Sequence, residues 1–161
     1  MEMQYAYSIC DAADVLEGSV SENLRQAEYV YAGSYFCDIY FLSISEEEWR
    51  KVFAFIRGYG KKAVLVIPTP SQRNLEKIKE AARKLFYENS DILREVVVND
   101  PGMLQRADGL NYGLSIWCGR LMSKETRDPR YPELLHSNKL SLHMADGKLY
   151  GVKVKGLELD I

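Results

Sequence analysis

Cysteine is scarce in this chain, and so is every spacing that would give it an obvious task. The 161 residues contain three cysteines, Cys10, Cys37 and Cys118. They are widely separated, form no C-x-x-C pair, and are too few for a disulfide framework, so a reducing, cytoplasmic setting is expected. Histidine is scarcer still, with His136 and His143 alone. No Ser-His-Asp arrangement can be built around them, and His143, between Leu142 and Met144, reads as a strand-surface residue. No apolar run approaches the ~18 residues that a membrane helix needs. The start, Met1 to Gln4, lacks the positive and apolar regions of a secretory signal, so a soluble protein without membrane contact is expected. Charge of one sign is also lacking: Lys and Arg total 21 against 23 Asp and Glu, for a net charge of −2, which excludes broad attraction to nucleic acid or anionic lipid. Gly58 and Gly60 flank a single tyrosine after a helix-like segment, the wrong context for a dinucleotide fingerprint.

What is present suits a packed α/β domain. Hydrophobic residues make up 47% of the chain and charged residues 27%, and the length allows one sizeable core. Gln4 to Ile9 reads as a first strand and Ser21 to Gln26 as a helix. Tyr29 to Ala32 reads as a second strand, entering an aromatic loop from Gly33 to Asp38, with Ile39 to Leu42 readable as further strand. Ser45 with Glu48 three residues on is a capping box, and Trp49, Val52, Phe53 and Ile56 recur at helical spacing before Gly58 and Gly60. Ala63 to Ile67 is a continuous apolar run closed by Pro68, as expected of a parallel strand covered on both faces. Leu75, Ile78, Ala82, Leu85 and Phe86 mark one face of a long helix. The strand Val96 to Val98 follows, and then a unit from Leu110 to Cys118. This alternation is that of βαβ crossovers, whose sites gather at the C-terminal ends of the strands.

The remainder changes character. Lys124 to Arg130 is charged and turn-rich; beyond it, Leu140, Leu142 and Met144 alternate up to Asp146-Gly147, a hairpin signal. Val152 to Ile161 again reads as strand, which suggests a missing continuation, an edge strand, or completion by another subunit.

On this assignment Cys10, Cys37, Asn99, Asp100 and Cys118 fall at or just beyond strand C-termini. Thiolates bind soft metals and iron–sulfur clusters, usually as four ligands, so the three cysteines, of which Cys37 and Cys118 are the candidate metal ligands, leave one position for Asp100, a histidine or a partner chain. The alternative is that each cysteine is a small buried hydrophobe. Asn99 and Asp100, ahead of Pro101-Gly102, are candidate substrate-binding residues, or form a turn capping the next helix. Arg120, Lys124, Arg127 and Arg130 suit an anion or RNA phosphate, although Glu125 and Asp128 interrupt them.

Taken in order, Tyr31 to Cys37, the capped helix from Ser45, the strand Lys62 to Pro68, the long helix, and Val97 to Leu104 resemble the collagenase-like peptidase family, which includes ubiquinone-biosynthesis and RNA-hydroxylation accessory proteins. Gly119 to Leu121 with Asp128 to Arg130 extends the resemblance, which covers roughly residues 27 to 130. It implies a (βα) barrel, peptidase-like or hydroxylation-related activity, and in some members an iron–sulfur cluster, with Cys37 where one ligand would fall. A closed barrel typically needs ~200 or more residues, so the chain is expected to be the N-terminal half of a barrel or a shortened relative.

The expected fold is therefore α/β: an incomplete (βα) barrel-like, mostly parallel sheet with outer helices, in one domain over 1–161. Its strand-end face, around Cys37, Asn99, Asp100, Cys118 and Arg120, is expected to bind a small molecule, RNA or a redox cofactor. The competing expectation is a non-catalytic assembly module, a homo-oligomer or part of a complex, that uses its aromatic loop and edge strand.

Overall fold

The structure is a computed structural model, and it describes residues 6–9, 14–15, 23–108, 114–119, 148–149, 152–153 and 155–157. Strand β1 (Ala6–Ile9), the short helix α1 (Asn23–Gln26) and strand β2 (Tyr29–Gly33) come first. Helices α2 (Asp38–Ser43) and α3 (Glu46–Gly58) then lead to β3 (Lys62–Ile67), α4 (Leu75–Glu88), β4 (Leu93–Val98), α5 (Pro101–Asp108) and β5 (Ser115–Cys118). Three two-residue strands follow: β6 (Lys148–Leu149), β7 (Val152–Lys153) and β8 (Gly156–Leu157).

The main sheet has the order β1-β2-β3-β4-β5-β8, and every neighbouring pair is parallel. It is an open sheet, so the described residues supply the α/β class and the parallel order without the closed ring of a barrel. The first five strands sit in chain order with no reversal. Right-handed crossovers that always step in one direction leave their helices on one face, and the packing shows this. Trp49, Val52, Phe53 and Ile56 of α3, Ile78, Ala82, Leu85 and Phe86 of α4, and Met103 and Leu104 of α5 share one buried cluster with Val30, Ala32, Leu65, Ile67, Val96, Val98 and Ile116. The opposite parity of the same strands, Val64, Val66 and Val97, packs separately with Tyr29, Tyr31, Tyr35 and Trp117. Both parities of β3 are buried from Ala63 to Ile67, which is why that strand is a continuous apolar run.

Helix α3 is fixed locally as well as by packing. Glu48 N–H donates to Ser45 Oγ at 3.2 Å, and Ser45 N–H donates to the Glu48 carboxylate at 2.7 Å. These bonds satisfy donors that the helix start cannot satisfy itself. Phe41 then packs tilted against Trp49 and Trp49 stacks on Phe53, with ring centroids 5.4 Å and 5.8 Å apart.

Several expectations need correction. Ile39 to Leu42 belongs to helix α2 and is neither strand nor loop. Asp38 and Cys37 supply polar groups at its start, and Phe41 is buried, so the short apolar stretch is resolved as a helical turn against the core. The fifth strand begins at Ser115, and residues 109–113 lie outside the described set. In the antiparallel pair, Lys148 faces Lys153 and Leu149 faces Val152. The Asp146-Gly147 hairpin expectation lies outside the described residues. Within the terminal strand pattern the described residues Gly156–Leu157 form β8, parallel to β5 and at the edge of the sheet among the described residues.

Candidate functional site

The C-terminal ends of β2, β3, β4 and β5 lie side by side, and the loops leaving them are tied to one another. At β2, Gly33 has φ +133°, and a Cβ there would overlap the carbonyl oxygen of Val66. Only glycine combines that backbone with so close an approach. Ser34 N–H then donates to the same Val66 oxygen at 3.2 Å, which carries the β2–β3 ladder one step into the loop.

That loop is held in shape by short-range bonds. Cys37 N–H donates to Ser34 Oγ at 3.0 Å, and Tyr40 N–H is 3.3 Å from Cys37 Sγ, which places Cys37 as the N-cap of α2 with an exposed thiol. Asp38 reaches across to the loop after β3. One carboxylate oxygen accepts from Ser71 N–H and Ser71 Oγ, both at 2.8 Å, and from Asn74 Nδ2 at 3.0 Å. The Ser71 backbone N–H, then the Asn74 and Ser71 side chains, stabilise the ionised form and hold the Asp38 carboxyl down to about 2. Phe36 and Ile39, 63% and 70% exposed, project from this tethered segment.

Asn99 and Asp100 are brought to the same edge, with different tasks. Asn99 is buried; its Nδ2 donates to Ile67 O at 3.1 Å, and its backbone oxygen accepts from Thr69 Oγ1 at 3.2 Å. Its Oδ1 is buried and has no hydrogen-bond partner among the described residues, an arrangement that normally has a cost. The oxygen lies against Gly119, where a Cβ would overlap it. Gly119 N–H donates to Val98 O at 2.8 Å, so Asn99 bridges three adjacent strand ends. Asp100 accepts from Met103 N–H at 2.9 Å and caps α5, as the turn alternative expected.

The cysteines are not equivalent. Cys118 is fully buried among the apolar side chains beneath the helices. Burial pushes its thiol up to about 11, which favours the neutral form, whereas metal ligation takes the thiolate. Cys118 in this setting does not suit a cluster ligand, and among the described residues no group of three or more His, Cys, Asp or Glu side chains is arranged to hold a metal ion. Cys37, exposed at the strand-end face, is the described cysteine open to a ligand. Cys10, Arg120, Lys124, Arg127, Arg130, His136 and His143 lie outside the described residues.

Sequence reading passed over Gly33, Asp38, Thr69 and Ser71 as site-forming residues. Their signal was position: each stands at or within a few residues of a strand terminus. Among the described residues no helix is long and apolar enough to cross a membrane. Comparison of the chain with family models, with curated proteins and with solved structures finds no match.

Proposed function

We propose that this chain is a (βα) barrel-related binding protein whose ligand, a small molecule, RNA or a redox cofactor, sits at the C-terminal ends of β2 to β5, in a reducing cytoplasmic setting. The observation that carries the reading is the strand order: five parallel strands in chain order with the described helices packed on one face. That winding belongs to barrels, whereas doubly wound sheets reverse order and cover both faces with helices. In wound α/β proteins of either kind the ligand lies where strands discharge their loops. The resemblance of residues 27 to 130 to collagenase-like peptidases and hydroxylation accessory proteins supports the same reading and points to peptidase-like or hydroxylation-related chemistry. Within it, Asn99 and Asp100 shape the floor between β4 and β5, the aromatic segment Tyr35-Phe36 forms a wall, and Cys37 offers the accessible thiol.

The test is chemical-shift mapping on the isotopically labelled chain, with short peptides and single-stranded RNA oligonucleotides as probes. Shifts concentrated on residues 33–38, 69–71, 99–102 and 119 are expected. Shifts confined to the outer surfaces of α3 and α4, or no shifts with any probe, would sink the reading. Anaerobic purification followed by iron and sulfide analysis decides the redox arm, in which Cys37→Ala is expected to lose bound iron.

A second reading is favoured by Phe36 and Ile39, large apolar side chains held out from the surface beside Cys37. Rigid display of such residues suits contact with another chain. Sedimentation at rising concentration should then show association that Phe36→Ser and Ile39→Ser both weaken.

A further inference from the structure

We infer that the rim formed by the N-terminal ends of β2, β3 and β4 is a docking surface for an acidic segment of another protein. It lies at the opposite end of the strands from the proposed ligand face, and neither reading depends on the other. Helices α1, α3 and α4 end at Gln26, Gly58 and Glu88, and β2, β3 and β4 begin at Tyr29, Lys62 and Leu93, so short turns set helix ends and strand starts side by side. Lys62 N–H donates to Glu28 O at 3.2 Å, Ala63 N–H to Ile92 O at 3.0 Å, and Lys61 Nζ to Arg25 O at 2.8 Å, which draws these turns together.

Charge on this rim is unbalanced. Among the described side chains its carboxylates are each engaged by a cation of the same chain: Glu28 by Lys62 at 2.8 Å, Asp91 by Arg57 at 2.7 Å and Glu88 by Lys84 at 3.9 Å. Arg25, Lys61 and Arg94 have no ion-pair partner among the described residues, and Arg25 and Arg94 are exposed. The chain as a whole carries −2, so the excess is local. A cation in the last turn of a helix complements its C-terminal dipole, which accounts for Arg25 but not for Arg94. The β3–β4 register passes from Ala63 opposite Leu93 to Val64 opposite Glu95, which leaves Arg94 as the extra residue of a bulge. Bulges re-aim a side chain, and in parallel pairs they are rare.

Beside these cations stand Tyr59 and Tyr87, 46% and 75% exposed, at the ends of α3 and α4. The Tyr59 ring is braced by Phe55, with centroids 4.8 Å apart. Arginine with exposed tyrosine is the composition of protein-interface anchors, and a guanidinium forks onto a carboxylate. Arg57 does so onto Asp91 on this rim, at 2.7 Å and 2.8 Å. A continuous phosphate backbone would have to pass the carboxylates of Glu28, Glu88 and Asp91. A peptide instead places its carboxylates at Arg25 and Arg94 and its apolar side chains on both rings, so charge complementarity favours the acidic peptide over a nucleic acid.

The experiment is fluorescence anisotropy on the full chain with a labelled peptide of interspersed glutamate and leucine, about ten residues long, and an oligouridylate of equal charge as competitor. Peptide binding that weakens as salt rises is expected, with little competition from the oligouridylate. Arg25→Gln combined with Arg94→Gln should weaken it about tenfold, and Tyr87→Ala by a similar factor. Lys77→Gln, at the far end of α4, should keep the parent affinity. Absence of peptide binding at low salt, parent affinity in the combined arginine variant, equal loss in Lys77→Gln, or displacement of the peptide by the oligouridylate at equal concentration would each overturn the inference. If a variant fails to fold, amide shifts of the isotopically labelled parent with the peptide decide. Shifts at residues 25, 59, 61, 87 and 94 are expected; shifts confined to residues 33–38 and 99–102 would overturn the rim and leave the strand-end reading standing.

Discussion

The side-chain oxygen of Asn99 rests against Gly119, so that the two residues close the gap between the ends of β4 and β5. A side chain at position 119 would have to displace the amide that also bonds Ile67 O. Gly119→Ala is expected to destabilise the protein by about 1–3 kcal/mol, read as a lower midpoint in urea unfolding with an unchanged slope. A neutral result would mean that the loop after β5 shifts freely.

Gly33 makes a second close approach, with strained backbone as well as contact. Gly33→Ala places a methyl group on the Val66 carbonyl at φ +133°. A loss of roughly 2 kcal/mol or more is expected, whereas Gly58→Ala, where a Cβ meets nothing within 4 Å, should cost nothing and serves as the control.

Acid should loosen the strand-end loops. Asp38 sits near 2 in the folded state against an ordinary 3.8, chiefly through the Ser71 N–H. A carboxyl lowered by folding adds stability that is full above its unfolded value and lost as pH falls through its folded value. Its share should therefore fade between about pH 4 and pH 2. Asp91, held to about 2 by the Arg57 guanidinium, fades over the same range. Unfolding curves for Asp38→Asn should show a shallower acid dependence than the parent, with the Asp91 contribution remaining. Superimposable pH profiles would contradict the assignment.

The thiols should separate by accessibility. At neutral pH iodoacetamide is expected to modify Cys37 in the native protein and Cys118 only after unfolding, because Cys118 is buried with its thiol pushed to about 11. Site-resolved mass spectrometry reads both. Native modification of Cys118 would show that the β5 strand opens far more readily than its packing implies.

Capping is the simplest test of local structure. Ser45→Ala removes the Glu48 N–H acceptor and one side of the reciprocal box. A loss of about 1 kcal/mol is expected, and Ser45→Asp should recover most of it.

Much of this fold was written in local pattern. The apolar run Ala63 to Ile67 announced a strand buried on both faces, the Ser45–Glu48 box marked the start of α3, and the spacing of Ile78, Ala82 and Leu85 marked the inner face of α4. Each depends on neighbours within a few residues, so most of the elements, their alternation and the presence of Asn99 and Asp100 at a strand end were legible in the sequence. Tertiary structure alone decided which parity of each strand meets the helices. Alternation separates Ile116 and Cys118 from Ser115 and Trp117, but only the crossovers place the first pair in the core and the second on the open face. It likewise decided that Ile39 to Leu42 coil into a helix, that Asp38 meets Ser71 and Asn74, and that β8 lies parallel to β5. The Asp38 and β8 contacts join residues more than thirty positions apart, and all of these outcomes depend on partners selected by packing the whole chain at once.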